Sequence, residues 1–469
     1  MNRQVFEIKD GILLSYEGNE NTVDIPDGVT EISVASFEGN ATITHVIFPD
    51  SLKTIGISAF EGCSSLSEIV IPDGVTLIEW DAFRGCSALS SVSIPDGISL
   101  GENAFADCPS LCFNEYAGCL YLGNDKNPHV ALVRAEDRGI NSIQIHKDTR
   151  ILLNHAFAEC DVLKRAEIPE GVREIGISAF ESCASLSDLL LPSTLRRIES
   201  SAFSFCDALT SVVIPDGVTY IGNYAFSCGS LSDITLPDSI VYIGTGAIPR
   251  NDAVTYNTYG GALYFGNPNN PYAVLAFAKD EEISCVSVHE KTTVILDNAF
   301  FNHKALNEVI LPSKLKMIGH NAFRQCAHLR EIRIPATVQA IGECAFASCT
   351  ALGHVDFFCR TVNIEDCAFM GCDALREIVL PCGSVGEYAF SDCISLSHVS
   401  IPEGVTSIGD SAFSGCTSLA EIVFPKDTRY LSAYLFADCT ALTRITLPKD
   451  TRIYDEAFDD PDEIEFIYY

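Results

Sequence analysis

The side chains with the most chemical capacity in this chain are its 20 cysteines, 10 histidines and 63 acidic residues. Clustered thiolates and imidazoles hold zinc, paired thiols form disulfides, and a cysteine beside a histidine is a nucleophile. Their spacing argues against all three uses. Twelve cysteines (Cys63, Cys86, Cys108, Cys160, Cys183, Cys206, Cys326, Cys349, Cys372, Cys393, Cys416 and Cys439) each follow a phenylalanine by three residues, and Cys228 stands one place early. A residue placed once per repeat forms a column, where a buried thiol acts as a small hydrophobe. Parallel Cβ vectors within such a column suit disulfides poorly. The others, Cys112, Cys119, Cys285, Cys344, Cys359, Cys367 and Cys382, form no C-x-x-C pair. His354 and His398 occupy equivalent places two repeats apart, too distant to share an ion. There is no P-loop, G-x-S-x-G, H-E-x-x-H or G-x-G-x-x-G after a strand. The expectation is therefore no catalytic residue, no cofactor and no metal, and the chain reads as a non-enzyme.

What positions the cysteine column is a repeat, seen whole in Cys63–Gly85. Ile69 and Ile71 lie two apart with Val70 between them, the period of a strand with Ile69 and Ile71 on one face and Val70 on the other. Pro72 lacks an N–H and ends the strand. Asp73-Gly74 is turn chemistry, Val75 and Ile78 point back inward, and Ala82-Phe83 supplies a close approach and a large ring. The ring recurs at Phe37, Phe60, Phe83, Phe105, Phe157, Phe180, Phe203, Phe226, Phe300, Phe323, Phe346, Phe369, Phe390, Phe413, Phe436 and Phe458, with Ile248 in the same place once, giving about 17 turns. Most steps are 23 residues; Phe105 to Phe157 and Ile248 to Phe300 are both 52. An offset of 143 maps Phe37–Phe157 onto Phe180–Phe300, so a block of turns with its insertion is duplicated. Units this short cannot bury their apolar side alone, and stacking them makes a solenoid.

The repeat, read as C-x-x-L-x-x-I-x-I-P-x-x-V-x-x-I-x-x-x-A-F, closely resembles that of the BspA-like leucine-rich-repeat family. Leu396–Cys416, LSHVSIPEGVTSIGDSAFSGC, carries the likeness most fully, and it spans roughly Thr22 to Phe458. It implies a right-handed leucine-rich-repeat coil, mostly β with short turns. It also implies a non-enzymatic, surface-exposed or secreted protein whose partner is a host or cell-surface protein. The chain departs from the family repeat where His146, His289 and Phe358 replace the proline and where Asn40 and His303 replace the cysteine. The expected organisation is an N-terminal cap over 1–35, a single solenoid over 36–458 and a C-terminal cap over 459–469, with β-hairpin insertions near 114–139 and 257–282.

The net charge of −33 disfavours binding to phosphate backbones, so nucleic acid is not an expected partner; the same charge keeps a long apolar solenoid soluble. No apolar run approaches the length of a membrane span, and no apolar segment follows Arg3 as in a signal peptide. If Met1 is the native start, a cytoplasmic location follows, and the alternative role is an intracellular scaffold. An enzyme with an unrecognised surface site is the remaining alternative.

Two surfaces are candidates for partner contact. The first is the outward strand position, where Val213, Ile310, Val379 and Val423 stand out, bordered by Glu68, Asp188, Asp233, Glu308, Glu331, Glu377 and Glu421. The second is the tips of the insertions, with the amides Asn124, Asn127, Asn267 and Asn270 and the aromatics Tyr121, Tyr264, Phe265 and Tyr272. Aromatic shoulders and amide tips suit recognition; the competing reading is a flap that closes a seam in the coil.

Overall fold

The computed structural model describes residues 6–250, 253–454, 456–458 and 464–469. The expected repeat forms as read. In the turn that begins at Leu66, Glu68–Val70 is a first strand with Ile69 buried and Val70 67% exposed. The chain turns at Pro72, where the Val75 N–H donates to the Pro72 carbonyl, and a two-residue second strand, Leu77–Ile78, buries Ile78. A loop then carries Ala82 and Phe83 into the core. Both strands pair in parallel with the turns on either side.

The loop is a third ladder, which period-2 reasoning does not reveal. In the turn around Phe60, the N–H groups of Ser58, Phe60 and Gly62 donate to the carbonyls of Trp80, Ala82 and Arg84 one turn later. This needs a left-handed backbone at Ser58 (φ 51°) and Gly62 (φ 69°). Small or polar residues hold the equivalent places in many turns because such side chains tolerate that region best.

Contacts divide the chain into two compact units, residues 1–232 with 247–253, and residues 233–246 with 254–469. The first unit opens with an antiparallel hairpin, Phe6–Lys9 and Ile12–Tyr16, turning at Asp10-Gly11. Its second strand pairs in parallel with Glu31–Ile32, and the ladder continues through Thr54–Ile55 and Leu77–Ile78 to Ser99–Leu100. In the second unit a parallel ladder runs from Val294–Ile295 through Met317–Ile318, Ala340–Ile341, Asn363–Ile364 and Gly383–Val385 to Val405–Ile408. Its first-strand sheet orders Glu377–Val379, His398–Ser400, Glu421–Val423, Arg444–Leu447 and Glu465–Tyr468. The polar stop read at Asp459–Glu463 lies outside the described residues. Among the described residues there is no helix.

Phenylalanine rings stack through each core. Phe37, Phe60, Phe83 and Phe105 form one pile with centroids 4.6, 5.1 and 5.4 Å apart. Phe157 to Phe226 form a second, and Phe300 to Phe458 a third. The thiols run beside them. Cys86 Sγ lies 3.2 Å from the Phe60 carbonyl oxygen, and Cys349 Sγ 3.1 Å from that of Phe323.

Candidate functional site

The first strands present an open face with exposed aliphatic residues. In the second unit Val379, Ser400, Val423, Thr446 and Ile467 stand opposite one another in register on successive turns. Val379 and Val423 are 65% and 57% exposed, and Ile310 is similarly open. In the first unit Ile47, Val70 and Val213 are exposed in the same way. Their inward neighbours fill the core, so outward β-branched residues are not needed for burial.

The border of this face is not simply acidic. Register places basic side chains beside the acids: Glu377 is opposite His398, and Arg444 lies between Glu421 and Glu465. Arg444 bonds both, at 3.3 and 3.1 Å. Arg165 reaches Asp188 at 2.7 Å, and His45 reaches Glu68 at 3.5 Å. The acids read singly from the repeat are thus partly neutralised along the column. These pairs are exposed and contribute little to stability.

The insertions depart from the expected protruding hairpin. Each is a three-stranded antiparallel meander: Asn114–Tyr116, Cys119–Leu122 and Ala131–Ala135 in the first, and Asn257–Tyr259, Ala262–Asn267 and Asn270–Ala278 in the second. The third strand joins the parallel ladder, through Ile151–Leu152 and Val294–Ile295 respectively. The meander therefore replaces part of a turn. Its corner comes at Gly123 and Gly266, where a Cβ would fall 2.2 and 2.1 Å from the carbonyl oxygens of Asn127 and Asn270.

This changes the standing of the tip residues. Tyr121, Tyr264 and Phe265 are buried completely or nearly so, and Tyr272 is half-buried. Tyr121, Tyr264 and Phe265 therefore offer a partner no surface. The amides face the solenoid: Asn124 Nδ2 donates to the Ile94 carbonyl at 2.8 Å, and Asn127 Nδ2 to that of Asp148 at 2.9 Å. Asn267 and Asn270 repeat the arrangement on Asp238, at 3.1 and 2.9 Å. Asn124 and Asn267 also accept backbone N–H groups of their own loops. The tips clamp the meander to the turns before and after it. The alternation in Cys119–Leu122 was read as a hairpin, but its burial on both faces comes from sheet partners beyond the hairpin itself.

Sequence reasoning also missed an aromatic box beside each clamp. His129 and His146 stack with centroids 4.0 Å apart, edged by Tyr116 and Tyr121. In the second insertion Tyr272 and His289 stand at 4.2 Å, edged by Tyr259 and Tyr264. His146 and His289 are the residues that replace proline, and the signal was their coincidence with the insertions. The His129 pKa is lowered, first by burial and then by the facing His146. Among the described residues no group of three or more His, Cys, Asp or Glu is arranged to hold a metal ion.

A family model of the BspA-type leucine-rich repeat region matches residues 13–114, 135–254, 274–384 and 362–469. The chain belongs to the BspA-type leucine-rich-repeat family. A leucine-rich repeat protein from Bacteroides ovatus is similar over 100% of this chain and 98% of its own, at 23% identity and a TM-score of 0.31. A leucine-rich cell surface protein from Faecalibacterium prausnitzii is similar over 93% and 90%, at 25% identity and a TM-score of 0.27. A leucine-rich repeat protein from Eubacterium ventriosum is similar over 96% of this chain and 90% of its own, at 19% identity and a TM-score of 0.33. No curated protein matches the chain. No helix among the described residues is long and apolar enough to cross a membrane.

Proposed function

We propose that this BspA-type protein is a non-enzymatic binding module for a protein partner, acting at a cell surface or outside the cell through the open face of its first strands. The observation that carries the reading is the registered column Val379, Ser400, Val423, Thr446 and Ile467. Exposed apolar residues scattered singly need no explanation, whereas a registered row in which Val379, Val423 and Ile467 alternate with the hydroxyls of Ser400 and Thr446 supplies preformed contact area on a sheet. Membership of the family supports the surface location.

The abundance of thiols gives no support to an intracellular scaffold in particular. Most column cysteines are buried and engage carbonyl oxygens, which protects them in an oxidising compartment as well. The test is retention of host matrix and cell-surface proteins on the immobilised protein, compared with a Val379→Lys, Val423→Lys double variant. Partner capture that the variant loses, at unchanged melting temperature, supports the reading. Equal capture by both proteins sinks it.

A further inference from the structure

The third ladder has a broken rung. In turn after turn, three alternate N–H groups of the loop donate to the next turn, as Asp81, Phe83 and Gly85 do to the carbonyls of Glu102, Ala104 and Ala106. The next such set is Asn103, Phe105 and Asp107. Among the described residues these three N–H groups have no acceptor. The turn that would receive them has been displaced by the first meander. Beyond the gap, the Ala156 carbonyl is taken by the Ala135 N–H, while those of Asn154 and Ala158 accept no backbone donor among the described residues.

Ala135 identifies what is missing. Its bond to Ala156 is the one that Phe60 makes to Ala82, so its backbone stands in the phenylalanine place. The N-terminal hairpin makes the same bond with Tyr16, whose ring packs on Phe37 at 5.1 Å. With alanine there, the ring is absent from that rung. Phe105 packs on Phe83 on one side only and is the one ladder phenylalanine left partly exposed.

The result is an open cavity of about 850 Å³. Phe105, Leu111, Phe113, Leu122, Val133 and Leu153 make its apolar lining. Its charged lining residues are unequal in freedom. Asp107 is held by Arg84 at 3.1 Å, whereas Arg134 is exposed and has no ion pair or side-chain hydrogen bond among the described residues. In a chain of net charge −33, this mouth presents an uncompensated cation.

We propose that the slot binds an extended acidic peptide segment of a partner protein that presents an aromatic side chain. The ring lies against the free face of Phe105 in the place that Ala135 leaves empty. Backbone carbonyls of the segment accept from Asn103, Phe105 and Asp107, as in strand addition to a sheet edge, and an acidic residue of the segment meets Arg134. This site is separate from the strand face and does not depend on it.

Trp80, the single tryptophan, reports on the slot, because it lies against Gly101 in its wall; a Cβ there would fall 2.8 Å from Trp80 Cδ1. The probe is acetyl-Asp-Ala-Phe-Glu-Gly-amide, titrated against the full chain by tryptophan fluorescence and calorimetry. The expected result is saturable binding that falls about tenfold or more when alanine replaces the probe's phenylalanine. Ala135→Tyr, which fills the ring place as Tyr16 does, abolishes binding. Arg134→Glu, at an exposed position, weakens it about tenfold without changing the circular dichroism spectrum. Absence of saturable binding at millimolar probe, or equal affinity for the two peptides, overturns the proposal. Should Ala135→Tyr fail to fold, unchanged binding by Arg134→Glu overturns it alone. Concentration-dependent dimers that Ala135→Tyr abolishes assign the slot to a second copy of the chain and overturn the partner-peptide reading.

Discussion

The Cys206 thiol donates to the carbonyl oxygen of Phe180, 3.2 Å away and one turn earlier. That carbonyl also accepts the N–H of Cys183 within its own loop, so the sulfur ties two successive loops at one oxygen. Cys183, Cys326, Cys372 and Cys416 make the same contact with Phe157, Phe300, Phe346 and Phe390. Cys206→Ala removes both packed sulfur and donor. It is expected to cost about 1–2 kcal/mol, measured by urea denaturation. Unchanged stability would reduce the column to a by-product of the repeat.

The same burial sets a pH dependence. Burial pushes the thiols of Cys63, Cys183, Cys228, Cys326 and Cys393 from 9.0 up to about 12. The folded state therefore holds its thiol protons at a pH where the unfolded chain has lost them. This contribution is fully present below the ordinary thiol value and is lost as pH rises through about 9 towards 12. Buried Tyr121 and Tyr264, also raised to about 12, add to the fall with the same sign. Denaturation midpoints should begin to fall near pH 9, where a free thiol ionises, and fall increasingly steeply towards about pH 12. A variant with several column cysteines replaced by alanine should show a shallower drop; identical slopes would rule out the thiols as its source.

Thiol reactivity distinguishes column from surface. Cys112 and Cys285 are exposed, while Cys108, Cys367 and Cys382 are half-buried. With a thiol reagent at pH 8, the native protein should show a fast phase of two groups, a slower one of three, and the rest only on unfolding. Denatured protein should titrate for all 20. Rapid reaction of ten or more in the native state contradicts the burial.

His303 stands in the cysteine column, buried, with Nδ1 3.2 Å from the Phe301 carbonyl oxygen and Nε2 without a hydrogen-bond partner. A buried ring nitrogen left unpaired is costly, and the backbone at this place fits cysteine in neighbouring turns. His303→Cys is expected to stabilise the protein by about 1 kcal/mol, read as a raised melting temperature, because it removes that unpaired group. A lowered melting temperature would show that the T-shaped contact of His303 with Phe300 outweighs it.

The cross-section of each turn was legible because three features recur together: alternation at Ile69-Val70-Ile71, the stop at Pro72, and Ala82-Phe83. The third ladder was less so, since a left-handed residue at Ser58 or Tyr388 carries no glycine to announce it. The insertions were found by their 52-residue steps, but Cys119–Leu122 and Ala262–Phe265 look like half-exposed hairpin strands when read alone. Only the partners at Asn114–Tyr116 and Ile151–Leu152 reveal that Tyr121 is covered on both sides. Likewise the amides of Asn127 and Asn270 read as surface chemistry until Asp96 and Asp238, more than 25 residues earlier, are brought under them. The empty ring place at Ala135 needed the backbone register with Tyr16, which no local pattern contains.

Asn270 carries the final prediction. Its Nδ2 donates to Asp238 at 2.9 Å and to the Lys291 carbonyl at 3.3 Å, and its Oδ1 accepts the Tyr272 N–H at 3.2 Å. It is almost fully buried, so Asn270→Ala strands three polar groups where water does not readily replace the amide. The expected loss is about 2–4 kcal/mol, with the strand pairing of Asn267 to Asn270 loosened first. Asn269→Ala, at the exposed tip two residues from Asn267, should be neutral within about 0.5 kcal/mol. Thermal melts together with amide exchange in Ala262–Ala278 separate the two. A destabilised Asn270→Ala with unaltered partner binding assigns the tip to holding the meander in place. An unchanged melt with lost binding would restore the tip as a recognition element.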